Sequence, residues 1–206
     1  MKINVVQNSL SFKKTLVANT AYLKGGKVCP AKIYSLDPYK DERYFLRLED
    51  SEKWVMNDYI DNVLHNMRNV DMYKENYPHC RSDFFVMEDE NKECLAYIAI
   101  DTDSISNETN IDYMEVCPEY SSENSNRKTK YIGESLLAFV SNFVQKFFRT
   151  TLTVNIPSAT AIDFYKKEGF VTHPKNICGL YLPNKNVHVL TARAYDKTGV
   201  GVSLVD

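Results

Sequence analysis

The segment Tyr131–Arg149 constrains this chain most. Ile132, Leu136, Phe139, Phe143 and Phe147 recur at helical spacing, and Leu137, Val140, Val144 and Phe148 form a second row beside them. A helix apolar over so wide an arc packs against a sheet rather than lying on the surface. The sheet is supplied upstream, where Asp83–Glu88, Glu93–Asp101 and Thr109–Cys117 read as three strands. Polar turns at Asp89–Lys92 and Asp101–Asn107 join them into an antiparallel meander.

Downstream the pattern changes to alternating strand and helix. Thr151–Ile156 is a β-branched strand, and Ser158–Glu168 is a short helix with Ser158 placed as its N-cap. Gly169 is suited to end that helix in a left-handed conformation. Phe170–Thr172 and Val187–Tyr195 are predicted to complete the sheet. Upstream, Ala31–Leu36 is the first predicted strand, and Asp37-Pro38 offers a helix start for Tyr39–Leu48. A second helix carries Val55, Met56, Tyr59, Ile60, Val63, Leu64 and Met67 on one stripe, with Ser51 placed to cap it. Residues 69–82 read as a loop. Tyr73, Tyr77 and His79 either line a substrate entrance there or are ordinary exposed aromatics. The predicted class is α+β, a mixed, mostly antiparallel sheet of about seven strands with helices on both faces. Residues 1–30 are expected to form an arm, flexible or docked on the sheet edge, and residues 31–206 a single domain.

At 206 residues the chain suits one domain, and its 44% hydrophobic and 25% charged content is ordinary for a soluble protein. A net charge of −2 argues against non-specific nucleic-acid binding. The 5 cysteines form no Cys-x-x-Cys pair, and no apolar run has signal-peptide or membrane length. A reduced, cytoplasmic setting without membrane contact is expected. His79-Cys80 is the one adjacent pair of metal-ligating residues, and no second pair stands at zinc spacing. No metal is expected from the spacing.

Ala161-Ile162-Asp163-Phe164-Tyr165-Lys166-Lys167-Glu168-Gly169-Phe170, following Thr151–Val154, resembles the signature of the GNAT superfamily of N-acetyltransferases. Met114-Glu115-Val116-Cys117-Pro118 resembles the end of that family's fourth strand. Lys128-Thr129-Lys130-Tyr131-Ile132-Gly133 corresponds to its pyrophosphate loop. The resemblance implies a GNAT-like fold and transfer of acetyl from acetyl-CoA to a primary amine by direct attack. The acceptor would be an amine-bearing small molecule or a protein, and the chain a monomer or homodimer.

By the same resemblance the backbone of Met114, Glu115 and Val116 would pair with the pantetheine arm. Lys128 through Gly133 would hold the pyrophosphate, Ser158 would stand where an asparagine often contacts the cofactor, and Tyr165 would protonate the leaving thiolate. Asp112 is the candidate base, because it lies two residues before Met114 and shares its face under simple alternation. Glu115 faces the other way unless a bulge intervenes. Tyr131 stands where the family prefers glycine, the segment Glu119–Arg127 is long, and Thr153 replaces a frequent acid. These departures favour a rival reading, a GNAT-fold binding or regulatory module without catalysis. A third reading is an interaction protein that recruits a partner through residues 1–30.

Overall fold

A computed structural model describes residues 14–49, 54, 57–72, 75, 78–121 and 128–205. The chain opens with a hairpin, β1 (Thr15–Lys24) and β2 (Lys27–Leu36), turning on Gly25 and Gly26, both at positive φ. Helices α1 (Glu42–Glu49) and α2 (Asn57–Met72) follow, then the meander β3 (Cys80–Glu88), β4 (Cys94–Asp103) and β5 (Glu108–Val116). A 3-10 turn at Pro118–Tyr120 and a short β6 (Thr129–Lys130) lead into α3 (Ile132–Phe143). The rest alternates: β7 (Thr151–Val154), α4 (Ala159–Lys167), β8 (Val171–Thr172), β9 (Leu180–Tyr181), α5 (Asn184–Thr198) and β10 (Ser203–Leu204). These strands form one sheet in the order β10-β1-β2-β3-β4-β5-β7-β9-β8, with β6 on β1. All neighbours are antiparallel except β5 and β7.

Strand alternation splits the core into two layers. On β3 and β4, Phe85, Met87, Ile98 and Ile100 face α3, α4 and α5, while Phe84, Val86, Tyr97 and Ala99 face α1 and α2. With both faces covered, the central strands are apolar almost throughout. The α1/α2 layer is closed by Tyr44, Phe45, Leu48, Ile60, Val63, Leu64 and Met67. The Phe139 ring of α3 meets Phe85 edge-on at 5.0 Å, which is the packing that the wide apolar arc demanded.

Several expectations change on inspection of the fold. Val187–Tyr195 is the middle of helix α5, not a strand. Val187, Leu190, Ala194 and Thr198 are its buried residues, a spacing of three and four that only a helix keeps on one face. The first predicted strand begins at Lys27 rather than Ala31 and is the second in the chain. Thr15–Lys24, within the expected arm, is a strand lying between β2 and β10, while residues 1–13 lie outside the described residues. The sheet has ten strands among the described residues because the two-residue pieces β6, β8, β9 and β10 join it. Such pieces are too short to leave a period in the sequence.

The long helix also ends differently. Val144–Phe148 winds as a π turn, with the Arg149 N–H bonding the Val144 carbonyl at 2.8 Å. The wider turn rotates Phe147, the last residue of the first row, out of phase and leaves it 52% exposed, while Phe148 packs against the core. Helix α1 starts at Glu42 because Asp37 is consumed in a turn, its carboxylate accepting the N–H groups of Tyr39 and Lys40. The predicted cap Ser51, the stripe residues Val55 and Met56, the side chain of Tyr59, and Tyr73 and Tyr77 lie outside the described residues. Among the described residues no helix is long and apolar enough to cross a membrane.

Candidate active site

The site begins where β5 and β7 part. They pair in parallel only over Glu108–Asn110 against Thr151–Thr153. Threonines fasten this joined end: Thr109 Oγ1 lies 3.0 Å from Thr102 Oγ1 and 2.5 Å from Thr150 Oγ1, and Thr153 Oγ1 donates to the Thr109 carbonyl at 3.3 Å. At the fork, the Asn110 side chain takes the place of the next ladder bond, Oδ1 accepting the Asn155 N–H at 3.0 Å. Beyond it, β7 turns to β9 through Thr153 and Val154, and Ile111–Val116 has no ladder partner on that edge among the described residues. An open edge of this kind accepts an extended ligand through its backbone.

A β-bulge sets which side chains face the fork. Ile100 pairs with Ile111 but Ala99 pairs with Tyr113, so Asp112 is the extra residue. Ile111, Met114 and Val116 therefore pack on the α3 side, and Tyr113 and Cys117 on the α1/α2 side. Simple alternation fails at Asp112, and its expected sharing of a face with Met114 loses its basis. Asp112 does lie near Asp101, whose carboxyl is held above the usual carboxylate range by burial, with the charges of Asp112 and Asp83 adding to it.

Glu115 emerges as the better-defined carboxylate. Its Oε2 accepts hydrogen bonds from Tyr97 Oη at 2.8 Å and Tyr113 Oη at 3.1 Å. Tyr97 stacks on Tyr113 with ring centroids 5.7 Å apart and meets the Trp54 ring edge-on at 4.9 Å. The result is an acidic wall flanked by aromatic rings on the α1/α2 side of β5. The sequence carried a signal for this only through strand register, which pairs Tyr97 with Glu115.

At the N-terminus of α3, Tyr131 sits at φ 70° and ψ 18°, the left-handed conformation that the family's glycine would adopt without strain. Gly133 is a close approach: a Cβ there would lie 3.3 Å from Val116 Cγ2, 3.5 Å from Phe164 Cζ and 3.6 Å from Met114 Cε. The helix tip thus lies against the open edge of β5. The preceding loop is fastened elsewhere, with Lys128 O accepting the Gly25 N–H at 2.8 Å and Thr129 and Lys130 pairing with Lys24 and Leu23. Thr129 and Ile132 are buried, so they offer a ligand backbone rather than side chains, whereas Lys128 and Lys130 are exposed. Residues 122–127 lie outside the described residues.

Helix α4 completes the arrangement. Ser158 takes the N-cap position, but its hydroxyl lies 3.2 Å from Thr160 Oγ1 and makes no cap bond. Gly169 follows the helix at φ 100°, as its position predicted. Tyr165 is 5% exposed, between Phe164 and Phe170 with both ring centroids at 5.3 Å. No described residue hydrogen-bonds its hydroxyl, and burial alone pushes the phenol well above its ordinary value of 10. Phe164, one residue earlier, is the ring that reaches Gly133.

No protein-family model matches the sequence, and no curated protein does. Solved structures do resemble the fold. A chimera of the spermidine N-acetyltransferase SpeG from Vibrio cholerae and hSSAT superposes with a TM-score of 0.52 at 12% identity, covering 77% of this chain and 98% of that one. A mutant of the toxin AtaT, bound to the C-terminus of the antitoxin AtaR and acetyl-CoA, superposes with a TM-score of 0.50 at 16% identity, covering 78% and 97%. AtaTR bound with acetyl-CoA gives 0.50 at 15% identity over 78% and 97%. The chain has the fold of the GNAT-type acetyltransferases, a mixed, mostly antiparallel sheet flanked by helices.

Proposed function

We propose that this chain is an N-acetyltransferase that moves acetyl from acetyl-CoA to a primary amine by direct attack. One observation carries the reading: the edge of β5 opens at Asn110 and runs past the N-terminus of α3, so a strand edge and a helix tip meet. An extended pantetheine with a diphosphate at one end fits that pairing, its amides on the backbone of Met114, Glu115 and Val116 and its diphosphate at the first-turn N–H groups around Ile132 and Gly133. Exposed Lys128 and Lys130 add charge, and Ser158 stands at the N-cap of α4 three residues after Asn155, whose N–H bonds Asn110 at the fork. The AtaT structures that share the fold hold acetyl-CoA, which supports the choice of cosubstrate.

Chemistry follows from the groups at the fork. A backbone N–H of β5 polarises the thioester carbonyl. The ammonium gives up one proton to water, and the neutral amine attacks the carbonyl carbon. The carbon–sulfur bond breaks, the nitrogen releases its second proton to solvent, and the thiolate leaves with a hydrogen bond or proton from Tyr165. A phenol raised above 10 is a weak acid toward a thiolate, so Tyr165 serves chiefly as a hydrogen-bond donor until the sulfur has gathered charge. The acidic wall of Glu115, Tyr97 and Tyr113 suits a cationic amine better than Asp112 alone does.

Melting the protein with and without acetyl-CoA tests the reading. Saturation at about 100 times the dissociation constant adds about 2.7 kcal/mol, or roughly 5–10 °C in a chain of this length. A shift with release of free thiol on a panel of amines is the expected outcome. Absence of any shift at millimolar cofactor defeats the proposal, and a shift without turnover leaves the non-catalytic GNAT-fold module in its place.

A further inference from the structure

We propose that His79, Cys80 and Asp103 form a binding site for one zinc ion at the sheet end opposite the fork. The Asp89–Lys92 turn closes one end of the β3–β4 hairpin. The other end is open, and there Cys80 and Asp103 are the last paired residues of the ladder. One imidazole nitrogen, one sulfur and one carboxylate oxygen from these three residues lie within 4.8 Å of one another. In the sequence only His79-Cys80 stood out, without a partner at zinc spacing. Strand register supplies the third donor from β4.

The donors are held by the backbone before any ion arrives. His79 O accepts the Ser104 N–H at 3.0 Å, tying the turn after Asp103 to the start of β3. Asp103 Oδ1 accepts the Ile105 N–H at 2.9 Å, and Ser106 also hydrogen-bonds the carboxylate, so its orientation is held before a ligand arrives. No described residue hydrogen-bonds the Cys80 sulfur. All three residues are half-buried, so an ion reaches them without full exposure to water. A nitrogen, sulfur and oxygen set selects borderline-soft zinc over magnesium or calcium, with a water in the fourth tetrahedral position. On binding, the Cys80 S–H bond breaks, its proton goes to solvent, and the thiolate electron pair forms the metal–sulfur bond. The ion then clamps the open hairpin end next to the turn that starts β5.

Cobalt(II) titration of the reduced, chelator-stripped full chain tests this. The expected result is a thiolate-to-cobalt charge-transfer band with tetrahedral visible bands, saturating at one ion per chain and displaced by zinc. Cys80→Ser should abolish the charge-transfer band, and His79→Gln or Asp103→Asn should each weaken zinc binding at least about tenfold. Cys29→Ser and Cys178→Ser should leave both unchanged. Metal-free melting of each variant, matching the unmodified chain, shows that the fold is intact. Absence of the band, its survival in Cys80→Ser, or unchanged zinc affinity in Asp103→Asn overturns the site.

Discussion

Tyr165 shows how much a single position can carry. Its place in the Ala161–Phe170 segment marked it in the sequence, but only the packing reveals a buried ring whose hydroxyl no described residue hydrogen-bonds. Tyr165→Phe removes the hydroxyl and keeps the ring among Phe164 and Phe170. Turnover should fall about tenfold or more with cofactor affinity little changed, read from steady-state rates and equilibrium binding. Equal loss of both would make the hydroxyl a binding group. Asp112 shows the opposite case. Counting by twos put it beside Met114, and a bulge that no local residue pattern announces removed that relation. Glu115 was legible only once register had set two phenols against it.

Elements with a long, clean period were legible, and short or irregular ones were not. The α3 stripe as far as Phe143, the meander and the α4 helix with its glycine stop all stand where the sequence put them, because many residues repeat the same instruction. Helix α5 was misread because Val187, Val189 and Leu190 look like a short apolar strand locally, while its real pattern spans four turns. The start of α3 holds a prediction of its own. Tyr131 occupies a left-handed conformation that costs a non-glycine residue about 1–2 kcal/mol. Glycine at that position gives back part of this through its own flexibility, about 0.5–1 kcal/mol. Tyr131→Gly should therefore raise the melting temperature by about 1–4 °C, measured by calorimetry or circular dichroism. A fall would mean that contacts of the tyrosine ring outweigh the strain.

At the scale of the molecule, Glu168 joins three helices. It is 3% exposed at the end of α4, and its pKa is raised by burial, with Glu134 of α3 adding to that while Arg193 of α5 and Lys167 oppose it. A carboxyl whose folded pKa is raised holds its proton more tightly in the folded state, so ionisation near neutral pH weakens the fold. Glu168→Gln should melt higher than the unmodified chain at pH 7. The gain should shrink as pH falls through the raised pKa and vanish below the ordinary value of 4.5, where both chains are neutral. A gain that persists in acid would assign the effect to packing instead.

By itself the sequence determined the class of fold and most of the order of its elements, since apolar periodicity is a local record of which face is buried. It also marked the residues around α3 and α4 that resemble an acetyl-CoA site. Tertiary structure alone decided where β5 and β7 part, which face each side chain of β5 takes after the bulge, and that Asp103 meets His79 and Cys80. Those three depend on register between strands distant in the chain, and a one-residue shift reverses every facing without changing any local pattern.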